Sequence, residues 1–312
     1  MSHRILVADS LRSFLAREPA DATRDVELFD ERAPIAAGEC IGIVPTVICR
    51  IDGDVMDRLT GLRAIANYGV GYDNIDVDAA RRRGVVVSNT PDVLTGATSE
   101  LTWALILAAA RRLGEGERLV RSGRWTGWTP TQLRGMSLDG RTLGVIGAGR
   151  IGAAVARRAG AFGMRVVYAD RQPNAELERD VHARLVTLDE LLAMADVVTI
   201  HVALTPRTRG LIDADALAHM KPGSILVNTS RGPVVDEAAL IDALRRGHLR
   251  AAGLDVYELE PHVPEALRAL DNVVLLPHLG SATDEARQAM WDVAWKNLQL
   301  GLRGQPLLHP VH

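Results

Sequence analysis

The sequence predicts an α/β protein of two domains, a Rossmann-type doubly wound parallel sheet inserted into a smaller flavodoxin-like α/β domain. Three observations predict it. Short apolar, β-branched runs without alternation recur along the chain, as buried parallel strands do. Helix-compatible segments separate them. One strand–glycine–helix unit, "TLGVIGAGRIGAAVARRAGAFGMRVVYAD", carries Gly147, Gly149 and Gly152 in G-x-G-x-x-G spacing.

Taken in order, "RILVA" (4–8), "IGIVPTVIC" (41–49), "RAIANYG" (63–69) and "GVVVSN" (84–89) read as the strands of the smaller domain. "MDRLTGL" and "DVDAARRRG" read as helices between them, the second ended by Gly84. "TSELTWALILAAARRL" (98–113) reads as a long helix with Thr98 and Ser99 as capping hydroxyls. It is apolar nearly all round, so it is expected to be buried on several sides, between domains or between subunits. A Gly- and Trp-rich loop, "VRSGRWTGWTP" (120–130), follows, and strand and helix patterns then alternate to "NVVLLPH". The last helix, "DEARQAMWDVAWKNLQLGLRG" (284–304), is expected to pack back on the N-terminal domain. The boundaries expected are 1–98 plus 284–312 for a substrate domain and 99–283 for a dinucleotide-binding domain.

The chain has 312 residues, about two domains' worth. With 47% hydrophobic and 24% charged residues it has the composition of a soluble globular protein. A net charge of −3 points to neither a nucleic-acid nor a membrane partner. Cys40 and Cys49 have no metal-ligand spacing, so neither a metal nor a disulfide is expected. "MSHRILVADS" lacks the apolar core of a signal peptide, and "LTWALILAAA" (101–110) is too short to span a bilayer. A cytoplasmic protein is the expectation. The only lysines are Lys221 and Lys296, which leaves few candidates for lysine-based covalent chemistry.

In the glycine motif each part has a physical job. Gly147 allows the tight turn, Gly149 lets backbone reach a pyrophosphate, and Gly152 permits close helix–strand packing. Arg150 and Ile151 open the helix whose N-terminus favours phosphate, and are counted with them as cofactor-binding. Asp170 lies 18 residues after Gly152, close to the ~20 expected of an acceptor for ribose hydroxyls. The expected cofactor is NAD, with NADP left open because Arg171 adjoins Asp170. Three later strand ends carry further chemistry: Arg231 after "SILVN", Asp255 and Glu260 in "AAGLDVYELEP", and His278 then Gly280 in "NVVLLPHLGSAT". Strand ends in such a sheet face the ligand crevice. An arginine, a carboxylate and a histidine converging there suit hydride transfer at a carbonyl. Arg orients and polarises, protonated His donates, and the carboxylate keeps His charged.

"GVGYDNIDVDAARRRGVVVSNTPDVLT", "GVIGAGRIG", "NTSRGPVVDEAALIDAL", "GLDVYELEP" and "LLPHLGSAT" together resemble the D-isomer-specific 2-hydroxyacid dehydrogenases over essentially the whole chain. "NTPDVLTGATSELTWALILAAARR" and the "VRSGRWTGWTP" loop are most similar to the glyoxylate/hydroxypyruvate reductase branch. The resemblance implies that Arg231, Glu260 and His278 are the catalytic trio. It also implies that Val70 and Gly71 offer backbone N–H groups to a substrate carboxylate, with Arg50 at the cleft rim. Thr98, Thr229 and Asp255 would contact cofactor, as would Gly280, and a small 2-oxo acid and a second copy of the chain would be the partners.

The chain departs from its relatives in places. Ala203 stands where the family often has proline, with little consequence expected. Glu260 rather than the glutamine of formate-oxidising relatives argues against formate, and Val70 in place of a lysine argues against phosphite. Because the sequence runs only a few residues past its last helix, the regulatory extension of many phosphoglycerate dehydrogenases is not expected. A phosphoglycerate dehydrogenase and a dinucleotide-sensing corepressor remain as alternatives.

Overall fold

A computed structural model describes residues 4–311. The chain divides into two compact units, Met1–Leu94 with Ala282–His312, and Thr95–Ser281. The first division falls before Thr95 rather than at 98/99 because the long helix is one piece from Thr95 to Arg111, and the second follows Ser281, close to 283/284.

In the first unit five parallel strands lie in the order Val26–Phe29, Ile5–Ala8, Gly42–Val44, Ala64–Ala66, Val86–Ser88. Among these strands the first two exchange places relative to chain order, as in flavodoxin-like sheets. The strand expected over 41–49 stops at Val44, before Pro45, which has no N–H for the ladder. Val26–Phe29 is a strand that no unbroken apolar run announces, because the exposed Glu27 interrupts it. The helix expected in "MDRLTGL" is Gly53–Arg58 instead. Leu59–Thr60 leaves it to pair with Gly38–Glu39. Asp52 and Asp76 cap helices Gly53–Arg58 and Val77–Arg82 by accepting N–H groups three residues on.

The C-terminal helix Asp284–Leu302 covers this sheet. It lies so close that a Cβ on Gly301 would come within 3.0 Å of Ala64 and Val86 side chains. Trp291, fully buried, stacks on Phe14 and Trp295 beneath it.

In the second unit seven parallel strands lie in the order Arg184–Leu185, Arg165–Ala169, Thr142–Ile146, Val197–Ile200, Ile225–Asn228, Ala251–Leu254, Val273–Leu275. Chain order reverses between Thr142–Ile146 and Val197–Ile200, the switch point where doubly wound folds open a crevice at the strand carboxyl ends. Helix Thr95–Arg111 packs on this sheet and on helix Arg150–Arg158, so its apolar girth is largely buried within its own unit. Trp103 stacks on Phe162 with ring centroids 4.3 Å apart and donates its indole N–H to the Val155 carbonyl. Thr98 and Ser99 sit inside this helix rather than capping it, since the helix starts at Thr95. Ser99 Oγ donates back to the Gly96 carbonyl at 2.7 Å. Among the described residues no helix is long and apolar enough to cross a membrane.

Candidate active site

The glycine turn is built from backbone clearances. Gly147 has φ +91°, and a Cβ there would lie 2.9 Å from the His201 carbonyl carbon. A Cβ on Gly152 would lie 1.9 Å from the Gly147 oxygen, so helix Arg150–Arg158 packs on its strand only with glycine at that position. Gly149, the residue before the helix, has nothing within 4 Å of a Cβ position. Open space above a helix start with uncapped N–H groups fits a dinucleotide pyrophosphate. Arg150 and Ile151 are the first residues of that helix. Asp170 follows the second strand, exposed, with Oδ2 accepting the Ala148 N–H at 2.8 Å and Oδ1 its neighbour's, Arg171, at 2.6 Å.

Three other strand ends carry the remaining groups of this unit. Past Asn228, Arg231 is set by an Asx-type turn. Asn228, buried, donates from Nδ2 to the Arg231 carbonyl at 2.9 Å and accepts the Ser230 N–H and hydroxyl. Arg231 Nη1 donates to the Ser230 carbonyl at 2.8 Å. Next comes Gly232, where a Cβ would sit 1.8 Å from the Tyr257 carbonyl carbon. The glycine therefore lets the strand end bearing Arg231 press on the backbone that leads to Glu260. Pro233 is the second residue of the short 3-10 turn Gly232–Val234.

Tyr257 organises the next segment. Its N–H donates to Glu260 Oε1 at 3.1 Å, and its hydroxyl donates to the Leu276 carbonyl at 2.9 Å, two residues before His278. Burial, with Asp255 and Glu260 nearby, pushes the Tyr257 phenol up to about 12, so it stays a donor. Glu260 Oε2 meets His278 Nδ1 at 2.8 Å. Burial pushes the Glu260 carboxyl up, but the bond to His278, its charge, the Tyr257 N–H and Arg231 outweigh it, and the net shift is downward. His278 has φ +56°, a conformation that costs a residue with a Cβ about 1 kcal/mol or more. Its N–H is held by the Asp255 carbonyl at 2.9 Å, and among the described residues its Nε2 has no hydrogen-bond partner.

Asp255 is buried, its carboxylate taking the Leu279 and Gly280 N–H groups at 2.6 and 2.8 Å. Burial raises its pKa against those bonds and the His278 charge. A Cβ on Gly280 would fall 3.3 Å from Asp255 Oδ2 and 3.6 Å from Thr98 Oγ1, so Thr98, Asp255 and Gly280 come together. The Thr102 hydroxyl donates to the Thr98 carbonyl, so Thr229 donates to Thr102 Oγ1 at 2.9 Å and its hydroxyl faces the interior.

Arg50, Val70 and Gly71 belong to the first unit. The carbonyls of Val70 and Gly71 are taken by Asn89 Nδ2 and Asn67 Nδ2, both at 2.8 Å. Among the described residues the N–H groups of Val70 and Gly71 have no partner. Arg50 is largely exposed and paired with Asp52 at 3.2 Å. Asn228 and Tyr257 escape a reading of the sequence for chemistry. Only the asparagine ending an apolar run before Thr-Ser-Arg hinted at a side-chain-built turn.

A dinucleotide crevice beside a histidine–carboxylate pair defines a class, the nicotinamide-dependent dehydrogenases. The chain belongs to the D-isomer specific 2-hydroxyacid dehydrogenases, whose NAD binding domain matches residues 103–280. It is 50% identical over 253 residues to the glyoxylate reductase of Thermococcus onnurineus (strain NA1), covering 80% of this chain and 76% of that protein. The NADPH-dependent glyoxylate/hydroxypyruvate reductase of Sinorhizobium meliloti, solved with NADP and malonate, superposes with TM-score 0.90 at 36% identity, covering 100% of this chain and 97% of that one. D-lactate dehydrogenase of Aquifex aeolicus, solved with NAD and lactic acid, gives TM-score 0.85 at 28% identity, covering 96% of each.

Gly232→Ala tests the backbone contact. The added methyl must push the Arg231 turn off Tyr257, and an ångström of misplacement is expected to lower kcat/KM on the order of 100-fold. Circular dichroism and Tm report whether the fold persists. Wild-type kcat/KM in a folded variant would show that the contact does not place Arg231.

Proposed function

We propose that the chain reduces a small 2-oxo acid, glyoxylate or hydroxypyruvate, to the D-2-hydroxy acid with NADH preferred, through Arg231, Glu260 and His278. The observation that carries this reading is the 2.8 Å pair between His278 Nδ1 and Glu260, which leaves Nε2 uncommitted. When bound, the nicotinamide supplies the hydride in reduction and accepts it in oxidation.

The residues divide the remaining work. The Arg231 guanidinium orients the acid and polarises its carbonyl; the N–H groups of Val70 and Gly71, and Arg50, keep the substrate-carboxylate role that the family resemblance implies for them. His278, protonated and held by Glu260, gives its Nε2 proton to the carbonyl oxygen in reduction and takes it back in oxidation. Gly147, Gly149, Gly152, Arg150 and Ile151 hold the pyrophosphate. Thr98, Asp255, Gly280 and the backbone at Thr229 line the nicotinamide end. Asp170 accepts from the adenosine ribose and repels a 2′-phosphate, which favours NAD over NADP although Arg171 is adjacent.

The first test is loss of NADH absorbance with a panel of 2-oxo acids. Glyoxylate and hydroxypyruvate should turn over fastest. Activity confined to a phosphorylated acid would point to a phosphoglycerate dehydrogenase, and cofactor binding without turnover to a sensor.

A second test uses pH. Glu260 stays ionised across the range in which an imidazole titrates, so Glu260→Gln removes the charge that favours protonated His278. Wild-type reduction should hold until pH falls through the depressed Glu260 pKa, below the usual glutamate value, and decline beneath it. Glu260→Gln, with no carboxylate to protonate, should be slower and lack that acid limb. Superimposable pH–rate curves would mean the pair is misassigned.

The family setting and one surface support a homodimer, and the free, buried Cys40 and Cys49 fit a reducing cytoplasm. Helix Leu113–Arg121 and the loop after it expose Leu113, Val120, Trp125 and Trp128, the last 79% accessible. This surface, rather than helix Thr95–Arg111, is the one in want of a partner. Trp128→Glu with Val120→Glu should give a monomer by light scattering, and a persisting dimer would move the interface elsewhere.

A further inference from the structure

The segment after Asp170 is clipped to the glycine turn at both ends, and both clips close on one residue. Asp170 Oδ2 takes the Ala148 N–H at 2.8 Å, and Asn174 Nδ2 donates to the Ala148 carbonyl at 2.9 Å. Between the clips lie Arg171, Gln172 and Pro173, all exposed, with Asp170, Arg171 and Gln172 bordering an open cavity of about 390 Å³. Asn174 is itself held from beneath. Its N–H donates to the Tyr168 hydroxyl at 2.8 Å, and that hydroxyl donates to Glu178 at 2.6 Å. Tyr168 is fully buried, and burial with the Glu178 contact raises its phenol, so it remains the donor. Asn174 Oδ1 separately caps helix Ala175–Val181 by accepting the Leu177 N–H at 3.0 Å.

We propose that Asn174, seated on Tyr168 and Glu178, is a positioning residue for cofactor choice. By tying the 171–174 segment to Ala148 it fixes how the Asp170 carboxylate and the Arg171 side chain meet the adenosine ribose. This rests on the reading that Asp170 faces that ribose. The Ala148 peptide belongs to the turn that receives the pyrophosphate, so the clips set the ribose wall in register with the phosphate cradle. Arg171 starts from an N–H already bonded to Asp170 Oδ1 at 2.6 Å, which fixes the root of its side chain beside the carboxylate. Cutting the Asn174 clip frees the segment. The carboxylate then loses its fixed aim at the ribose hydroxyls, and Arg171 gains the reach to meet a 2′-phosphate.

The experiment is calorimetric titration of the full chain with NADH and with NADPH, no substrate present. Asn174→Ser keeps a helix-capping oxygen and lacks the amide donor, whereas Asn174→Ala lacks both. Tyr168→Phe keeps the ring in the core and removes the hydroxyl under Asn174. For Asn174→Ser and Tyr168→Phe alike, the ratio of the NADPH to the NADH Kd should fall about fivefold, the worth of one hydrogen bond. Asn174→Ser matching wild type while Asn174→Ala is impaired would show that only the cap matters, and would overturn the proposal. An unchanged ratio in all three would also overturn it. Asp170→Ala separates the two readings. If it shifts the ratio and the Asn174 variants do not, the positioning role alone fails. If Asp170→Ala leaves the ratio unmoved, the ribose reading fails and takes the positioning role with it.

Discussion

The arrangement of the candidate site depends on the backbone contact between Gly232 and Tyr257. Strands Ile225–Asn228 and Ala251–Leu254 are neighbours in the sheet, so the turns that leave them run side by side. Only a residue without a Cβ lets those turns touch, since a Cβ at 232 would stand 1.8 Å from the Tyr257 carbonyl carbon. From that contact the rest follows by short links. Tyr257 holds Glu260 through its N–H and the strand end before His278 through its hydroxyl. Glu260 then meets the imidazole. Three strand ends are thereby locked by one tyrosine and one glycine, neither of which has chemistry to perform.

Polar groups in this region are held by structure before any ligand arrives. The Asp255 carboxylate is buried but takes two backbone N–H groups, which compensate part of the cost of charge in the interior. It also fixes Leu279 and Gly280, and its carbonyl receives the His278 N–H. His278 can therefore persist at φ +56° because the bonds around it over-determine that conformation. Asn228 does the same for the Arg231 turn through three hydrogen bonds. Such scaffolding lowers the reorganisation needed when charge develops on a substrate oxygen, which is the physical content of a preorganised site.

Sequence and structure diverge where tertiary contact competes with local pattern. The apolar run 101–110 reads as a helix awaiting a partner, yet sheet strands and helix Arg150–Arg158 of its own unit take most of its surface. Its start moves back to Thr95, and the threonine and serine that resemble caps become buried interior residues. Leu59–Thr60 leaves a helical pattern because Gly38–Glu39 offers a ladder. Thr229, at a strand end facing the crevice, spends its hydroxyl on Thr102 instead. In each case local propensity is worth tenths of a kcal/mol per residue and loses to packing or pairing worth more.

By itself the sequence determined the α/β class and the glycine turn with the acid after it, and it singled out Arg231, Glu260 and His278 at or just past strand ends. These are legible because parallel strands announce themselves as unbroken apolar runs, and because tight backbone approaches admit only glycine at fixed spacing. It did not determine which groups touch. That Glu260 meets His278 depends on strands far apart in the chain coming side by side. That Asp170 and Asn174 hold the N–H and the carbonyl of one residue, Ala148, depends on the path of a loop with no periodicity to read. Strand order, the Gly232–Tyr257 contact and the hydrogen bonds of Asn228, Asp255 and Asn174 were decided only by tertiary structure. Side-chain bonds between distant segments are selected by packing and by the need to satisfy buried polar groups, and neither leaves a period in the sequence.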